Sequence, residues 1–336
     1  MKIIIDAMGG DNAPEEIVKG AALASLEYDA DLVLVGDEVK IGAVLSGCEY
    51  DKDKITTLHA DSVVTMEDEP TAPVRGKKDS SMAVGLKMLR DGGDAFISAG
   101  NTGALHVGAS LYVRTLPGVE RAAIATVLPL GKPVLLLDSG ANVVALPSYY
   151  VSWAYMATVY MKNVLGVENP TVGLLNNGVE EHKGTPAAVE AYKLLSSDER
   201  INFIGNIEAK ELFSDPCDIV VTDGFTGNVF IKTMEGMAKY LFRGIKKAFM
   251  ASVFTKTAAL MLKGSLTELK NDFDASEYGG SPLLGLKKPV IKAHGSSDAL
   301  EIKNAIRQAV VFCGTGAIEM IASSLPDTDA HRSAEE

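Results

Sequence analysis

Five short apolar runs in this chain each end in a small, polar turn that contains glycine. The turns are residues 6–11, 99–103, 138–142, 176–178 and 222–228. Buried strands that alternate with helices indicate a parallel sheet, and ligands of such sheets bind beyond the carboxyl ends of the strands. Glycine lets backbone N–H groups approach an anion, and the following helix adds its positive end. The pattern predicts an α/β fold whose site is built from backbone and small polar groups and suits phosphate.

The bulk composition fits a single soluble α/β unit spanning residues 1–336. The chain is 47% hydrophobic and 23% charged, and its formal net charge of −12 argues against nucleic acid as a partner. Its three cysteines have no CxxC spacing, so reduced thiols in a cytoplasmic protein are expected. The chain opens on a strand-like run rather than a signal peptide, and no apolar stretch has the length of a membrane-spanning helix.

The first group of candidate binding residues lies in the turns after the first and second apolar runs. Asp6, Gly9 and Gly10 stand at a strand–helix turn that could bind phosphate or simply turn tightly. Asn101, Thr102 and Gly103 open a predicted helix, where the same free N–H groups could bind an anion or need only a cap. Several such turns together favour anion binding more than any one alone.

A second group combines polar and basic side chains near later turns. Asn142, Asn177 and Gly227 lie within turns; Lys183, Asp223, Asn228, His294, Ser296 and Ser297 lie in or beside them. Lys183 could hold a phosphate or an oxyanion as a point charge. Asp223 and Asn228 could position a substrate or merely form a turn and a helix cap. His294 with the serines could bind an anion and supply a proton, ahead of a long helix predicted over residues 297–323.

Other chemistries lack their sequence signatures. The first turn is not GxGxxG, so a nicotinamide-dependent dehydrogenase is disfavoured. There is no GxSxG elbow for a covalent serine mechanism, and the five histidines lack metal-ligand spacing. We therefore predict no metal and no cofactor.

A basic, helical insert is predicted over residues 229–275. Between positions 232 and 270 there are eight basic and two acidic residues, a local balance of +6 in an acidic chain. Apolar residues recur there at roughly helical spacing: Phe242, Ile245, Phe249, Val253 and Leu260. Two interpretations remain open: a core-packing or dimer-forming helix pair, and an amphipathic surface for an anionic membrane or an acidic protein.

The ordered set of motifs resembles the bacterial phosphate acyltransferase (PlsX) family over nearly the whole chain. Beyond the five turns, the resemblance covers residues 183–185, 279–285 and 292–298. It implies a three-layer αβα fold like that of isocitrate dehydrogenases and phosphotransacetylases, with a projecting helical hairpin and a homodimeric state. It also implies transfer of a long acyl chain from acyl carrier protein to inorganic phosphate. A membrane-bound glycerol-3-phosphate acyltransferase would use the product, and the protein would associate peripherally with the membrane.

Residue roles follow as hypotheses from this reaction. Because phosphate is itself the nucleophile, the enzyme mainly has to position it, stabilise an oxyanion and release a thiolate. Lys183 and Asn228 are assigned to the phosphate or the oxyanion, Asp223 to orienting Lys183 or the attacking oxygen, and His294 to proton donation. Two alternatives are a phosphotransacetylase-like enzyme that uses acyl-coenzyme A and a non-catalytic membrane scaffold for lipid synthesis.

Overall fold

The computed structural model describes residues 1–214, 217–266 and 278–325. Its strands are β1 (Lys2–Asp6), β2 (Asp31–Gly36), β3 (Ile55–His59), β4 (Ala95–Ser98), β5 (Ala123–Ile124), β6 (Thr126–Leu130), β7 (Lys132–Leu137), β8 (Val172–Asn176), β9 (Phe203–Glu208), β10 (Ile219–Val221), β11 (Ser281–Leu284) and β12 (Val290–Lys292). Its helices are α1 (Glu15–Glu27), α2 (Glu38–Leu45), α3 (Ala72–Arg75), α4 (Ser81–Arg90), α5 (Thr102–Tyr112), α6 (Pro147–Asn163), α7 (Pro186–Ser197), α8 (Gly224–Phe249), α9 (Val253–Met261), α10 (Ala299–Gly314) and α11 (Ala317–Ser324). The predicted α/β class with mostly parallel strands is confirmed.

The first sheet has seven strands in the order β3-β2-β1-β4-β12-β11-β5. The strands from β3 to β12 are parallel, and β11 runs antiparallel to both of its neighbours. In β1, Ile3 and Ile5 pack towards α1 and α10, whereas Ile4 packs towards α4 and α5. Both faces are covered by helices, which explains why the strand has three consecutive apolar residues rather than alternating ones.

The second sheet has five strands in the order β6-β7-β10-β8-β9. The four strands from β7 to β9 are parallel, and β6 is an antiparallel edge. One face packs against α6, whose Trp153 and Tyr160 are fully buried. The other face packs against Phe230 and Ile231 at the start of α8. Helix, sheet and helix thus form three layers in this half as well.

The helix predicted over residues 297–323 is two helices in the structure. α10 ends at Gly314, and α11 begins after Gly316, whose φ of 64° lies in the left-handed region. Glycine adopts this conformation without a steric penalty, so the apolar periodicity could continue through a break in the backbone. Within the described ranges, no single helix is long and apolar enough to cross a bilayer; α10 and α11 meet those criteria only as a pair bent by 57°.

The predicted helical insert begins inside a long helix. α8 starts at Gly224, five residues before the expected boundary, and pairs with α9. Residues 267–275 of the expected insert, including Lys270, lie outside the described residues. Around the α8–α9 connection large apolar side chains are exposed, with Phe254 at 85% and Val253 at 82%.

The close contact between α1 and α10 provides a test of the packing. A Cβ added at Gly20 would lie 2.6 Å from Ile302 Cβ and 2.7 Å from the carbonyl oxygen of Ala299. We expect Gly20→Ala to lower the free energy of unfolding by about 1–3 kcal/mol, because α1 must move away from α10. Gly42→Ala on α2 is the matched control, since no described atom lies within 4 Å of the added methyl. The control should be neutral or up to about 1 kcal/mol stabilising. A Gly20→Ala melting temperature at or above that of the wild type would contradict this packing.

Candidate anion-binding site

Three turns at the carboxyl edge of the first sheet lie in direct contact. The N–H of Asp11 donates to the carbonyl oxygen of Gly295 at 2.7 Å. A Cβ on Gly9 would lie 2.9 Å from the nitrogen of Gly100, so glycine is needed for this approach. Asn12 Nδ2 donates to the carbonyl of Ser296 at 3.1 Å. The structure therefore brings together the turns after β1, β4 and β12, because these strands are neighbours in the sheet.

Asp6 lies beneath these turns as a buried support. Its carboxylate accepts hydrogen bonds from Ser98 Oγ at 2.7 Å and from the N–H of Met8 at 3.3 Å. Ser98 Oγ in turn accepts from the N–H of Gly100 at 3.0 Å. Burial raises the pKa of Asp6, although the hydrogen bonds of serine and backbone donors act in the opposite direction. Asp6 thus fixes the positions of two turns from below.

The amino end of α5 presents unpaired N–H groups at this edge. Asn101 Oδ1 accepts from the N–H of Ala104 at 3.0 Å, and Asn101 Nδ2 donates to three carbonyls of residues 65–68. The predicted residue Asn101 therefore serves as a cap and a loop anchor. The N–H groups of Thr102 and Gly103 have no acceptor within the described parts of the chain. These two groups and the helix dipole suit an anion.

The amino end of α10 is already occupied by carboxylates. Glu16 Oε2 accepts from the N–H of Ala299 at 2.9 Å, and Asp298 Oδ1 accepts from the N–H of Glu301 at 2.9 Å. The N–H groups of Ser296 and Ser297 both donate to atoms of His294. The predicted serines Ser296 and Ser297 therefore shape the turn through hydrogen bonds to His294.

The hydrogen bonds of His294 determine which ring nitrogen carries the proton. Nδ1 accepts the N–H of Ser296 at 3.2 Å and lies 2.9 Å from Ser296 Oγ. A backbone N–H can only donate, so the proton of the neutral ring is on Nε2. Desolvation lowers the pKa of His294, and the charge of Lys232 adds to this effect. At neutral pH His294 is thus a neutral hydrogen-bond donor at Nε2.

In the second sheet, Asp138 organises the turn after β7. This buried carboxylate accepts from the N–H groups of Ile124, Gly140, Ala141 and Asn142, at 2.6 to 3.1 Å. It also accepts from Asn142 Nδ2 at 2.9 Å, and that amide donates to the carbonyl of Ala122 as well. The predicted residue Asn142 is therefore buried and engaged within the protein.

The start of α8 lies against this turn. A Cβ on Gly227 would lie 2.0 Å from the carbonyl oxygen of Asp138, so only glycine fits there. Asn228 is exposed, and its Nδ2 lies 2.7 Å from the position of a Cβ on Gly140. Asp223 caps α8 by accepting from the N–H and the hydroxyl of Thr226 at 2.9 and 2.7 Å. In the structure Asp223 thus caps α8, and Asn228 is exposed beside the turn of Gly140.

Lys183 lies on the neighbouring turn after β8. Asn176 Nδ2 donates to the carbonyl of Lys183 at 3.0 Å, and its Oδ1 accepts from the N–H of the exposed residue Asn177 at 2.9 Å. The Lys183 side chain runs past Gly178, and within the described residues it has no hydrogen bond to Asp223. β8 and β10 are adjacent, so the turns of Lys183 and Asp223 lie side by side.

Two lysines were absent from the sequence-based choice of site residues. Lys292 ends β12 and donates from Nζ to the carbonyls of Ala99 and Ala293. Lys232, on α8, is close enough for its charge to lower the pKa values of Lys292 and His294. Lys232 therefore lies close to the turns of the first sheet, and we call the region between α8 and these turns the cleft. The sequence did contain a signal for Lys292, because this residue directly follows an apolar run. The approach of Lys232 to Lys292 and His294 depends on where α8 packs, which local sequence does not show.

Comparisons with known proteins give the relationship of this chain. Residues 1–320 match the family model described as "Fatty acid synthesis protein". The phosphate acyltransferase of Acetivibrio thermocellus is 46% identical over 325 residues, covering 96% of this chain and 95% of that protein. The phosphate acyltransferase of Bacillus subtilis is 45% identical over 313 residues, covering 92% of this chain and 93% of that protein.

Solved structures match the fold at much lower identity. A Streptococcus pyogenes phosphotransacetylase has a TM-score of 0.60 at 17% identity, covering 95% of this chain and 94% of that one. A branched-chain phosphotransacylase of Enterococcus faecalis has a TM-score of 0.54 at 16% identity, covering 94% and 100%. The identity across nearly the full length places the chain by descent: it belongs to the fatty acid synthesis protein family that includes the bacterial phosphate acyltransferases.

Proposed function

We propose that this protein transfers a long-chain fatty acyl group from acyl carrier protein to inorganic phosphate. The observation that carries the proposal is the amino end of α5, where the N–H groups of Thr102 and Gly103 have no acceptors in the described chain. Membership of a family that includes phosphate acyltransferases supports phosphate as the anion. Within the described residues no group of His, Cys, Asp and Glu side chains is arranged to hold a metal ion.

The reaction needs positioning more than covalent catalysis. A phosphate oxygen attacks the thioester carbonyl carbon, a C–O bond forms, and the tetrahedral oxyanion collapses with cleavage of the C–S bond. The proton of hydrogen phosphate ends on the departing thiolate, so the products are acyl phosphate and the free thiol. Holding both reactants in one cleft makes the attack effectively unimolecular, and donors aimed at the oxyanion lower its energy.

The cleft provides groups for each part of this reaction. We assign phosphate binding to the N–H groups of Thr102 and Gly103. Lys183 and the exposed amide of Asn228 steady the oxyanion from the second sheet. His294, whose lowered pKa keeps the ring neutral with its proton on Nε2, donates a hydrogen bond to the oxyanion or to the departing sulfur.

Exposed apolar side chains beside the cleft fit a fatty acyl donor. Val143 and Val144 are 66% and 80% exposed, and Phe225 and Val229 on α8 are 61% and 50% exposed. The N–H of Gly224 donates to the carbonyl of Asn142 at 2.8 Å, which holds these two segments next to each other. An apolar patch beside an anion site suits a substrate with an acyl chain at its reacting end.

The deciding experiment is thiol release from palmitoyl-carrier protein, with and without inorganic phosphate, with acyl phosphate trapped as hydroxamate. Phosphate-dependent release with trapped product is expected. Release only from palmitoyl-coenzyme A would favour the phosphotransacetylase-like alternative. Absence of release from both thioesters by the folded protein would leave the membrane scaffold.

Lys183 and Asn228 provide the test of the catalytic assignment. We expect alanine at either position to reduce kcat by about 10²–10³, as removal of an oxyanion donor does in other enzymes. Lys193→Ala, on the exposed surface of α7, is the control and should retain normal turnover. Circular dichroism should show the same fold in all three variants. Near-normal rates in both site variants would refute the assignment.

We also propose that the α8–α9 hairpin holds the protein at an anionic membrane. Lys239, Arg243, Lys246 and Lys247 are exposed on α8, close in sequence to the exposed apolar residues Phe254 and Val253. Cations beside exposed apolar side chains are typical of interfacial helices. The protein would then be cytoplasmic and peripherally bound, where a membrane glycerol-3-phosphate acyltransferase could use its product. Separately, we propose that the protein is a homodimer, and light scattering would measure this state.

Charge reversal tests the role of the hairpin. We expect Lys246→Glu with Lys247→Glu to weaken binding to phosphatidylglycerol vesicles by about tenfold or more, since each surface cation contributes about 1 kcal/mol. The matched control, Lys52→Glu with Lys193→Glu, changes the net charge equally but lies outside the hairpin. Unchanged vesicle binding together with a raised KM for palmitoyl-carrier protein would assign the hairpin to the carrier instead.

A further inference from the structure

Lys292 is held by the two turns that form one wall of the cleft. It pairs with Ser98 in the β4–β12 register, and its Nζ donates to the carbonyl of Ala99 at 3.3 Å and to that of Ala293. An ammonium group has three N–H bonds, and these two acceptors leave one without a partner among the described residues. No carboxylate of the described chain lies within 4.0 Å of Nζ. Lys292 is therefore a half-buried cation with a free donor.

The surroundings make this cation responsive to a bound anion. Desolvation lowers the pKa of Lys292 to about 8; the charge of Lys232 lowers it further, while those of Asp11 and Asp6 raise it. A partly desolvated ammonium without an ion pair is unfavourable unless another group compensates its charge. The nearby amino end of α5, which begins three residues after Ala99, has N–H groups of its own that lack acceptors among the described residues. A single anion could satisfy both.

We propose that Lys292 binds an oxygen of the attacking phosphate through its third N–H, while its other two N–H bonds fix the turns of Ala99 and Ala293. This inference rests on the proposed function and gives two lysines different roles. Lys292 on the first sheet binds the phosphate nucleophile, and Lys183 on the second sheet stabilises the oxyanion. The ammonium keeps phosphate next to α5 and orders its binding site at the same time.

The test compares phosphate binding by Lys292→Gln with that by Lys288→Gln. Lys288 is a matched control because its Nζ also donates to two backbone carbonyls, those of Leu89 and Gly93 at 2.8 Å, but at the opposite end of the strands. Calorimetric titration with inorganic phosphate alone should show an affinity about 10- to 100-fold lower for Lys292→Gln and unchanged for Lys288→Gln. The KM for phosphate should rise similarly while the KM for the acyl donor changes little.

A pH series separates charge from structural support. Wild-type affinity for phosphate should fall about tenfold per pH unit above the pKa of about 8 as the ammonium deprotonates. Phosphate is already dianionic in this range, and the charged or titratable groups that face Lys292 are Asp6, Asp11, Lys232 and His294. Lys292→Arg remains protonated, so its phosphate affinity should stay flat from pH 8 to 9.5.

The outcomes distinguish this inference from the proposed function. Phosphate binding that depends on Lys292, without phosphate-dependent thiol release, would sustain the inference and reject the proposed reaction. Phosphate-dependent turnover with an unchanged phosphate KM in Lys292→Gln would reject the inference alone. If Lys292→Gln lowers only the thermal stability and leaves phosphate affinity unchanged, the inference is rejected and Lys292 only links the two turns. The same conclusion holds if the phosphate affinity of Lys292→Arg falls with pH as that of the wild type does. If Lys292→Gln fails to fold, the pH profile of Lys292→Arg decides.

Discussion

The carboxylate of Asp138 is the interaction on which the arrangement of the two halves depends. It follows β7 in the second sheet yet accepts from the N–H of Ile124, which lies in β5 of the first sheet. The same group organises the turn against which Gly227 and the start of α8 pack. A buried carboxylate is stable only when N–H donors surround it, so its hydrogen bonds fix the sheets, the turn and α8 together.

Around that junction the two sheets contribute different chemistry. The first sheet presents backbone N–H groups at α5, the ring of His294 and the ammonium of Lys292. The second presents Lys183 on a turn held by Asn176, and Asn228 at the start of α8. An enzyme that transfers an acyl group from a thioester to an anion needs both sets of groups within one cleft, because no covalent intermediate activates either reactant. The two-sheet architecture therefore suits a reaction that depends on positioning.

The turns of the candidate site could be predicted from the local sequence, whereas the roles of individual residues could not. Glycine at positions 9 and 10 marked a turn beyond a strand end, because few other residues permit such close backbone contacts. For Asn101 and Asp223 the sequence left both ligand binding and capping open, and in the structure their side chains cap α5 and α8. Capping and ligand binding use the same residue types at the same positions, so only the observed hydrogen bonds separate them.

The sequence by itself determined the α/β class, most helices and the five turns, because apolar runs, caps and glycines act over a few residues. Tertiary structure alone decided which turns became neighbours, since strand order brings β4 beside β12 and β10 beside β8. It also decided the break at Gly316, the proton position on His294 and the approach of Lys232 to Lys292. These features arise from contacts between residues far apart in the chain, and local periodicity carries no information about such contacts.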